Sequence, residues 1–267
     1  MTGSKLLDNR VAVVTGASSG IGRATALALA REGAHVALAA RTESALRRVA
    51  GEIHALGREA LFVPTDVTRQ DDVDHLMAKT WDRWERIDIL VANAGAYIRS
   101  PVTKLTVEEM EESMAVNFYG ALHTVLAAQP HLLDQGDGHI VLVSSFDAKK
   151  GLPLDAPYVA AKFALAGYGE VLRQELRGHG IHVTTVFPGR VDTPLIDDLK
   201  VPQISAKICP ETVACQIVAA IRQKRPEVIV PLQARLLHLV NVLSPRLGDW
   251  FVRHFHLQGW EKRGAGS

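Results

Sequence analysis

The stretch Thr15-Gly-Ala-Ser-Ser-Gly-Ile-Gly22 decides how this chain of 267 residues is read. It ends an apolar, β-branched run, Val11–Thr15, and opens onto RATALALA, a strong helix start. Glycine permits a tight turn and a close backbone approach to a phosphate group. The free N–H groups of the new helix, with its dipole, then favour the anion. The spacing of Gly16, Gly20 and Gly22 is Gly-x3-Gly-x-Gly, a departure from the usual Gly-x-Gly-x-x-Gly fingerprint. A glycine turn alone is only a strand-to-helix connection. Placed after the first strand, it points to a dinucleotide held by Gly16, Ser18, Ser19, Gly20, Ile21 and Gly22.

Outward from this turn, short apolar runs alternate with helical stretches. The strand candidates are Val11–Thr15, His35–Ala40, Ala60–Thr65, Ile87–Ala94, His139–Ser145, His182–Pro188 and Glu227–Pro231. Several are apolar almost throughout, which suits strands covered on both faces of a parallel sheet. Helices are expected over Ile21–Arg31, Glu43–Leu56, Gln70–Trp84, Val107–Leu133, Ala156–Arg177 and Pro210–Arg225. The alternation predicts an α/β fold with a doubly wound, Rossmann-type parallel sheet flanked by helices. No repeat or linker interrupts it, so residues 1–231 are expected to form one nucleotide-binding and catalytic domain. Residues 232–267 read as an amphipathic, helical C-terminal extension.

The bulk properties exclude several classes. Hydrophobic residues make up 47% and charged residues 22%, an ordinary globular balance. The net charge of +1 gives no global attraction to nucleic acid. Two cysteines, Cys209 and Cys215, build no disulfide framework and no metal site; they suit a reducing, cytoplasmic compartment. The N-terminus lacks the apolar core of a signal peptide, and no uncharged run reaches the ~20 residues of a membrane span. The eleven histidines show no metal spacing; His35, His139 and His182 at strand starts read as structural.

Cofactor choice is read at the end of the second strand. A carboxylate there would accept from the ribose hydroxyls and select NAD. This chain has Ala40 followed by Arg41, so the 2′-phosphate of NADP is favoured. Asp66, after the third strand, either accepts from the adenine amino group or caps the helix that follows. Tyr158 and Lys162, in YVAAK, share one helix face. Each has an ordinary pKa of about 10, but a nearby cation favours the phenolate and brings Tyr158 toward working pH.

Taken in order, TGASSGIG, Asp66-Val67, ANAG at 92–95, Asn117, Ser145, YVAAK at 158–162 and FPGRVDT at 187–193 resemble the short-chain dehydrogenase/reductase family. The resemblance runs from about Arg10 to Pro231. It implies a sheet of about seven strands and hydride exchange between a nicotinamide and a carbonyl or alcohol. It makes Tyr158 the general acid or base, with Lys162 tuning it and holding the nicotinamide ribose. Ser145 would bind the substrate oxygen; the family's interval of thirteen positions to the tyrosine selects it over Ser144. Asn117 would bend its helix and hold a water that relays protons to Lys162. Val67, Asn93, Ala94 and Gly95 would pack against the cofactor. Pro188 and Gly189 would shape the nicotinamide pocket, with Val191 and Thr193 binding the carboxamide. Ala92 stands where family members often have Asn. The resemblance also implies a homodimer or homotetramer paired through the two long helices. The rival class is a non-catalytic NADP-binding scaffold or redox sensor. Nothing favours it, because all four catalytic positions are filled.

The segment 194–210 is expected to be a short substrate lid that leaves the pocket open on its side. Tyr97, Phe146 and Leu152 tilt the substrate toward a lipophilic carbonyl or alcohol. Asp147, Lys149 and Lys150 read as a solvated loop, with lining of the substrate mouth as the alternative. In the tail, Leu236, Leu237, Leu239, Val240 and Leu243 recur at helical spacing, with Leu247, Trp250, Phe251 and Phe255 beyond Pro245. Arg235, Arg246, Arg253, Lys262 and Arg263 outnumber Asp249 and Glu261. Three readings stand: packing on its own domain or a partner subunit, peripheral contact with a membrane surface, and cover for the active site.

Overall fold

The computed structural model describes residues 6–261, so Lys262 and Arg263 of the tail lie outside the described residues. Among the described residues, nine strands are β1 (Val11–Thr15), β2 (His35–Ala40), β3 (Ala60–Pro64), β4 (Ile89–Ala92), β5 (Gly138–Val143), β6 (Ile181–Pro188), β7 (Leu199–Lys200), β8 (Glu227–Val230) and β9 (Trp260–Glu261). Seven of them form one parallel sheet in the order β3-β2-β1-β4-β5-β6-β8. Strand order reverses between β1 and β4, and a crevice opens there at the strands' carboxyl ends. The glycine turn leaves β1 and the ANAG turn leaves β4, so both enter that crevice.

The helices are α1 (Gly20–Arg31), α2 (Glu43–Ala55), α3 (Gln70–Trp84), α4 (Val107–Met114), α5 (Gly120–Gln135), α6 (Ala156–Leu176), α7 (Pro210–Gln223), α8 (Leu232–Leu243) and α9 (Pro245–His254). Two apolar layers sandwich the sheet. Ala12 and Val14 of β1 face the layer shared with α1, α2 and α7. Val13 faces the opposite layer, with residues of α3, α5 and α6. The period-2 alternation of a strand buried on both sides explains why Val11–Thr15 is apolar without interruption.

The stretch expected as one helix over Val107–Leu133 is divided. Thr106 and Glu109 close a capping box at the start of α4. A π-helical turn then spans Ala115–Tyr119 before α5 begins. Asn117 sits in that turn, fully buried, and its amide nitrogen donates to the Ser113 carbonyl 3.1 Å away. A side chain that bonds the carbonyl one turn back competes with the regular helical ladder, and the turn widens.

Candidate active site

The glycine turn is locked by contacts that exclude side chains. Gly16 and Gly20 hold left-handed φ of 65° and 53°. A Cβ on Gly22 would stand 2.2 Å from the Gly16 carbonyl oxygen, and one on Gly16 would stand 2.8 Å from Asn93 Nδ2. The ANAG turn is bonded to the same loop: Asn93 Nδ2 donates to the Thr15 carbonyl at 3.0 Å. Thr15 Oγ1 accepts from the Asn93 and Ala94 N–H groups at 3.0 and 3.2 Å. Ser19 is the N-cap of α1, and its side chain makes no capping bond. The first-turn N–H groups therefore have no partner from the N-cap side chain, and such a donor set fits a pyrophosphate.

From that loop the contacts run to the catalytic candidates. A Cβ on Gly95 would lie 2.8 Å from Asn117 Oδ1 and 3.6 Å from Lys162 Nζ. Asn117 is held by Ala96, accepting from its N–H at 3.1 Å and donating to its carbonyl at 2.9 Å. Lys162 is buried, donates to the Val143 carbonyl at 3.1 Å, and is pulled down to about 8 by burial. Its Nζ lies 5.6 Å from the centroid of the Tyr158 ring. Tyr158 and Ser145 line the same cavity. Ser144 is otherwise occupied: its hydroxyl donates to the Lys162 carbonyl at 2.9 Å.

The electrostatics of Tyr158 differ from the sequence expectation. Burial pushes its hydroxyl well above the ordinary phenol value, and the nearby Asp147 carboxylate adds to this; the neighbouring Ser145 hydroxyl opposes it. Lys162 does not offset the rise, because its own charged form is disfavoured by burial and its hydrogen bond goes to Val143.

Asp147 is no solvated loop residue. It lines the cavity with Tyr158 and Ser145, and its carboxyl is raised to about 7 by burial and by Asp155. Arg190, the neighbouring Ser145 hydroxyl and Arg99 pull in the opposite direction. Asp155 is fully buried, accepts from Arg99 at 2.8 Å and from the Tyr97 hydroxyl at 2.9 Å. Tyr97 in turn packs edge-on against Tyr158, with ring centroids 4.9 Å apart. The charges of Arg99, Asp155 and Arg190 were not legible as a site, since they come from three separate loops. Asp147 had one available signal, its position two residues after Ser145.

The cavity measures about 660 Å³, within the range of ligand sites. Ile21 of the glycine turn, Ser145, Tyr158, Gly189, Val191 and Thr193 share its wall. Tyr97, Phe146 and Leu152 add apolar surface there, as expected. The side expected to be open is walled by the tail: Leu236, Leu237 and Val240 of α8, Phe251 of α9 and Phe255 line it. Side-chain ties hold the tail in place. Arg99 Nη2 donates to the Gln258 carbonyl at 3.0 Å, Lys150 pairs with Asp249, and Arg190 donates to the Leu257 carbonyl. β7 of the lid segment pairs antiparallel with β9 of the tail.

Arg41 is exposed just beyond β2. Asp66 accepts from the Thr68 N–H and hydroxyl at 3.0 and 2.8 Å, which lower its pKa. It does not cap α3; Arg69 occupies the N-cap. Val67 is buried against Gly120, and Pro188 ends β6. Ser18 lies in the glycine turn, half-buried.

Comparison with known proteins shows what the chain as a whole is similar to. The family model for short chain dehydrogenase matches residues 10–203. A fatty acyl-CoA reductase of Acinetobacter baylyi is 34% identical over 242 residues, covering 90% of this chain and 82% of that protein. A short chain dehydrogenase/reductase from Burkholderia phymatum, solved in complex with NAD, superposes with a TM-score of 0.83 at 26% identity, covering 90% of this chain and 95% of that one. An alcohol dehydrogenase from the archaeon Thermococcus sibiricus, complexed with 5-hydroxy-NADP, gives 0.77 at 29% identity, with 84% and 96% covered.

Proposed function

The chain belongs to the short-chain dehydrogenase/reductase family of oxidoreductases, and from that premise we propose that it exchanges a hydride between NADP(H) and a lipophilic carbonyl or secondary alcohol. The observation that carries this reading is the shared wall of one cavity, where Tyr158 and Ser145 stand with Ile21 of the glycine turn and Thr193. The bound nicotinamide supplies the hydride. The protein's own groups do the rest. Tyr158, kept protonated at neutral pH by burial, is suited to give its proton to a carbonyl oxygen. Ser145 steadies the charge that develops on that oxygen. Lys162, beside Gly95 and Asn117, lies where a proton can be resupplied.

Three finer features belong to the same proposal. The two solved relatives were determined with 5-hydroxy-NADP and with NAD, so likeness alone selects neither cofactor. Arg41, with no carboxylate at Ala40, supports NADP here, and Asp66 supports an adenine contact. The apolar cavity and the fatty acyl-CoA reductase likeness support a lipophilic substrate. Leu126 of α5 with Phe163 and Val171 of α6 leaves apolar surface outward on the two long helices, which supports pairing of copies there.

The tail supports peripheral contact with a lipid surface as well as cover for the site. Among the described residues no helix is long and apolar enough to cross a membrane. The outward face of α8 and α9 nevertheless exposes Leu232, Leu236, Leu239, Val242, Leu243 and Trp250, with Arg235, Arg246 and Arg253 also exposed. NADPH oxidation with a long-chain aldehyde or an aryl ketone, with Tyr158→Phe as the control, tests the central reading.

A further inference from the structure

Two arginines from distant loops hold consecutive carbonyls near the end of the tail. Arg99, beyond β4, donates through Nη2 to the Gln258 carbonyl at 3.0 Å, and Arg190, beyond β6, donates to the Leu257 carbonyl. Gly259 follows with a left-handed φ of 65°, and β9 then pairs with β7. A Cβ on Gly259 would stand 2.7 Å from the Lys200 carbonyl oxygen, so the seat of this segment admits no side chain there. The Arg99 guanidinium also donates, through Nε, to Asp155 Oδ1 at 2.8 Å; the two side chains are 9% and 0% exposed. Asp155 stands at the N-cap of α6, yet its side chain does not cap the helix. Its second oxygen accepts from the Tyr97 hydroxyl at 2.9 Å, and the Tyr97 ring lies edge-on to Tyr158 with centroids 4.9 Å apart. A run of direct contacts thus leads from Gln258 through Arg99, Asp155 and Tyr97 to Tyr158.

We propose that Arg99 and Asp155 are positioning residues, through which the seated end of the tail fixes the Tyr97 ring and, against it, the phenol of Tyr158. The inference rests on the oxidoreductase reading of Tyr158 and adds the tail end to the assembly that orients its proton donor. A buried carboxylate shared between a guanidinium and a phenol hydroxyl has few orientations that satisfy both oxygens. Loss of either donor leaves one buried oxygen unpaired, so the carboxylate turns and the Tyr97 ring loses its anchor. The Arg99 guanidinium also lies 5.8 Å from the centroid of the Tyr97 ring, so a shift of one displaces the other. The backbone is stitched at the same point: the Ser100 N–H donates to the Leu154 carbonyl at 2.8 Å. A displaced proton donor costs rate, whereas a cofactor held at the glycine turn does not feel the change.

Steady-state kinetics with NADPH and an aryl ketone test the run of contacts from both ends. Tyr97→Phe keeps the ring and removes the hydroxyl that Asp155 accepts. Gly259→Ala disturbs the tail end, beside Lys200 of β7. Each should lower kcat about 10-fold with KM for NADPH unchanged. The double variant should be no slower than the slower single variant, because both break one path. Losses that multiply, or a kcat unmoved by Tyr97→Phe, overturn the proposal. Amide hydrogen exchange of the cofactor-free protein reads the same coupling without turnover. Asp155→Asn replaces one acceptor oxygen with a donor and removes the charge that holds Arg99. The amides of residues 257–261 should then exchange several-fold faster, with those of β1 unchanged. Exchange unmoved at 257–261, or accelerated equally in β1, overturns the proposal. A parent that reduces no ketone or aldehyde would instead sink the oxidoreductase reading, and the exchange result would still decide whether Asp155 and the tail are coupled.

Discussion

Lys162 Nζ lies 5.6 Å from the ring centroid of Tyr158, one turn along α6, and donates to the Val143 carbonyl rather than to the phenol. In the proposed reaction the pair would divide its tasks. Tyr158 holds a proton firmly, and Lys162, brought down to about 8, exchanges one readily near neutral pH. Removing the phenol hydroxyl in Tyr158→Phe should lower kcat/KM for NADPH-dependent ketone reduction by about 10²–10⁴, the usual worth of a general acid. Cofactor binding, followed by NADPH fluorescence, should change little.

Arg41 stands at the end of β2 with no carboxylate beside it in sequence. Charge-assisted hydrogen bonds to a phosphate contribute about 1.5–3 kcal/mol. Arg41→Ala should therefore raise KM for NADPH roughly 10- to 100-fold and leave KM for NADH almost unmoved. Steady-state kinetics with both cofactors checks this; equal losses for the two would remove Arg41 from the 2′-phosphate.

His139 is buried against Thr184 at 2.7 Å, and burial lowers it from 6.5 to about 3. Its folded pKa lies below its unfolded pKa, so the unfolded chain binds the extra proton between those values. Stability from this group is complete above about pH 6.5 and is lost progressively as pH falls toward 3. By pH 4 the loss should reach roughly 3 kcal/mol. Urea melts of the parent and of His139→Asn across pH 4–7 should converge at acid pH; parallel curves would show that another group governs acid unfolding.

Phe163 and Val171 are about half exposed on α6, and Leu126 likewise on α5. Their burial between two copies predicts a solution mass of two or four chains. A charge in the patch, as in Phe163→Glu, should shift the mass toward one chain with the circular dichroism spectrum unchanged. Light scattering decides it, and a single-chain mass for the parent would reject pairing there.

The outward apolar row of α8 and α9 should carry the protein upward with anionic vesicles in a flotation gradient. Leu239→Ser with Leu243→Ser should reduce that fraction several-fold, and raised salt should reduce it further by screening Arg235, Arg246 and Arg253. No difference between parent and double variant would leave those leucines to some other contact.

The sequence by itself determined the sheet and its cofactor turn, because those features are local. A strand buried on both faces must be apolar at every position, and Val11–Thr15 is. A loop with a 2.2 Å gap beside Gly22 admits no side chain, so the glycines are written into the chain. Tyr158 and Lys162 share a face by helical period alone. Strand ends were less legible: Ser144 and Ser145 leave β5 because one hydroxyl bonds Lys162 and the other caps the next turn. Only the tertiary structure decided that Asp147 enters the cavity, that Lys162 turns to Val143, and that α8 and α9 wall the side expected to be open. Those outcomes depend on residues far apart in the chain, such as Arg99 with Gln258 and Lys150 with Asp249. Burial, which sets the charge states of Tyr158, Asp147 and Lys162, exists only once such elements have packed together.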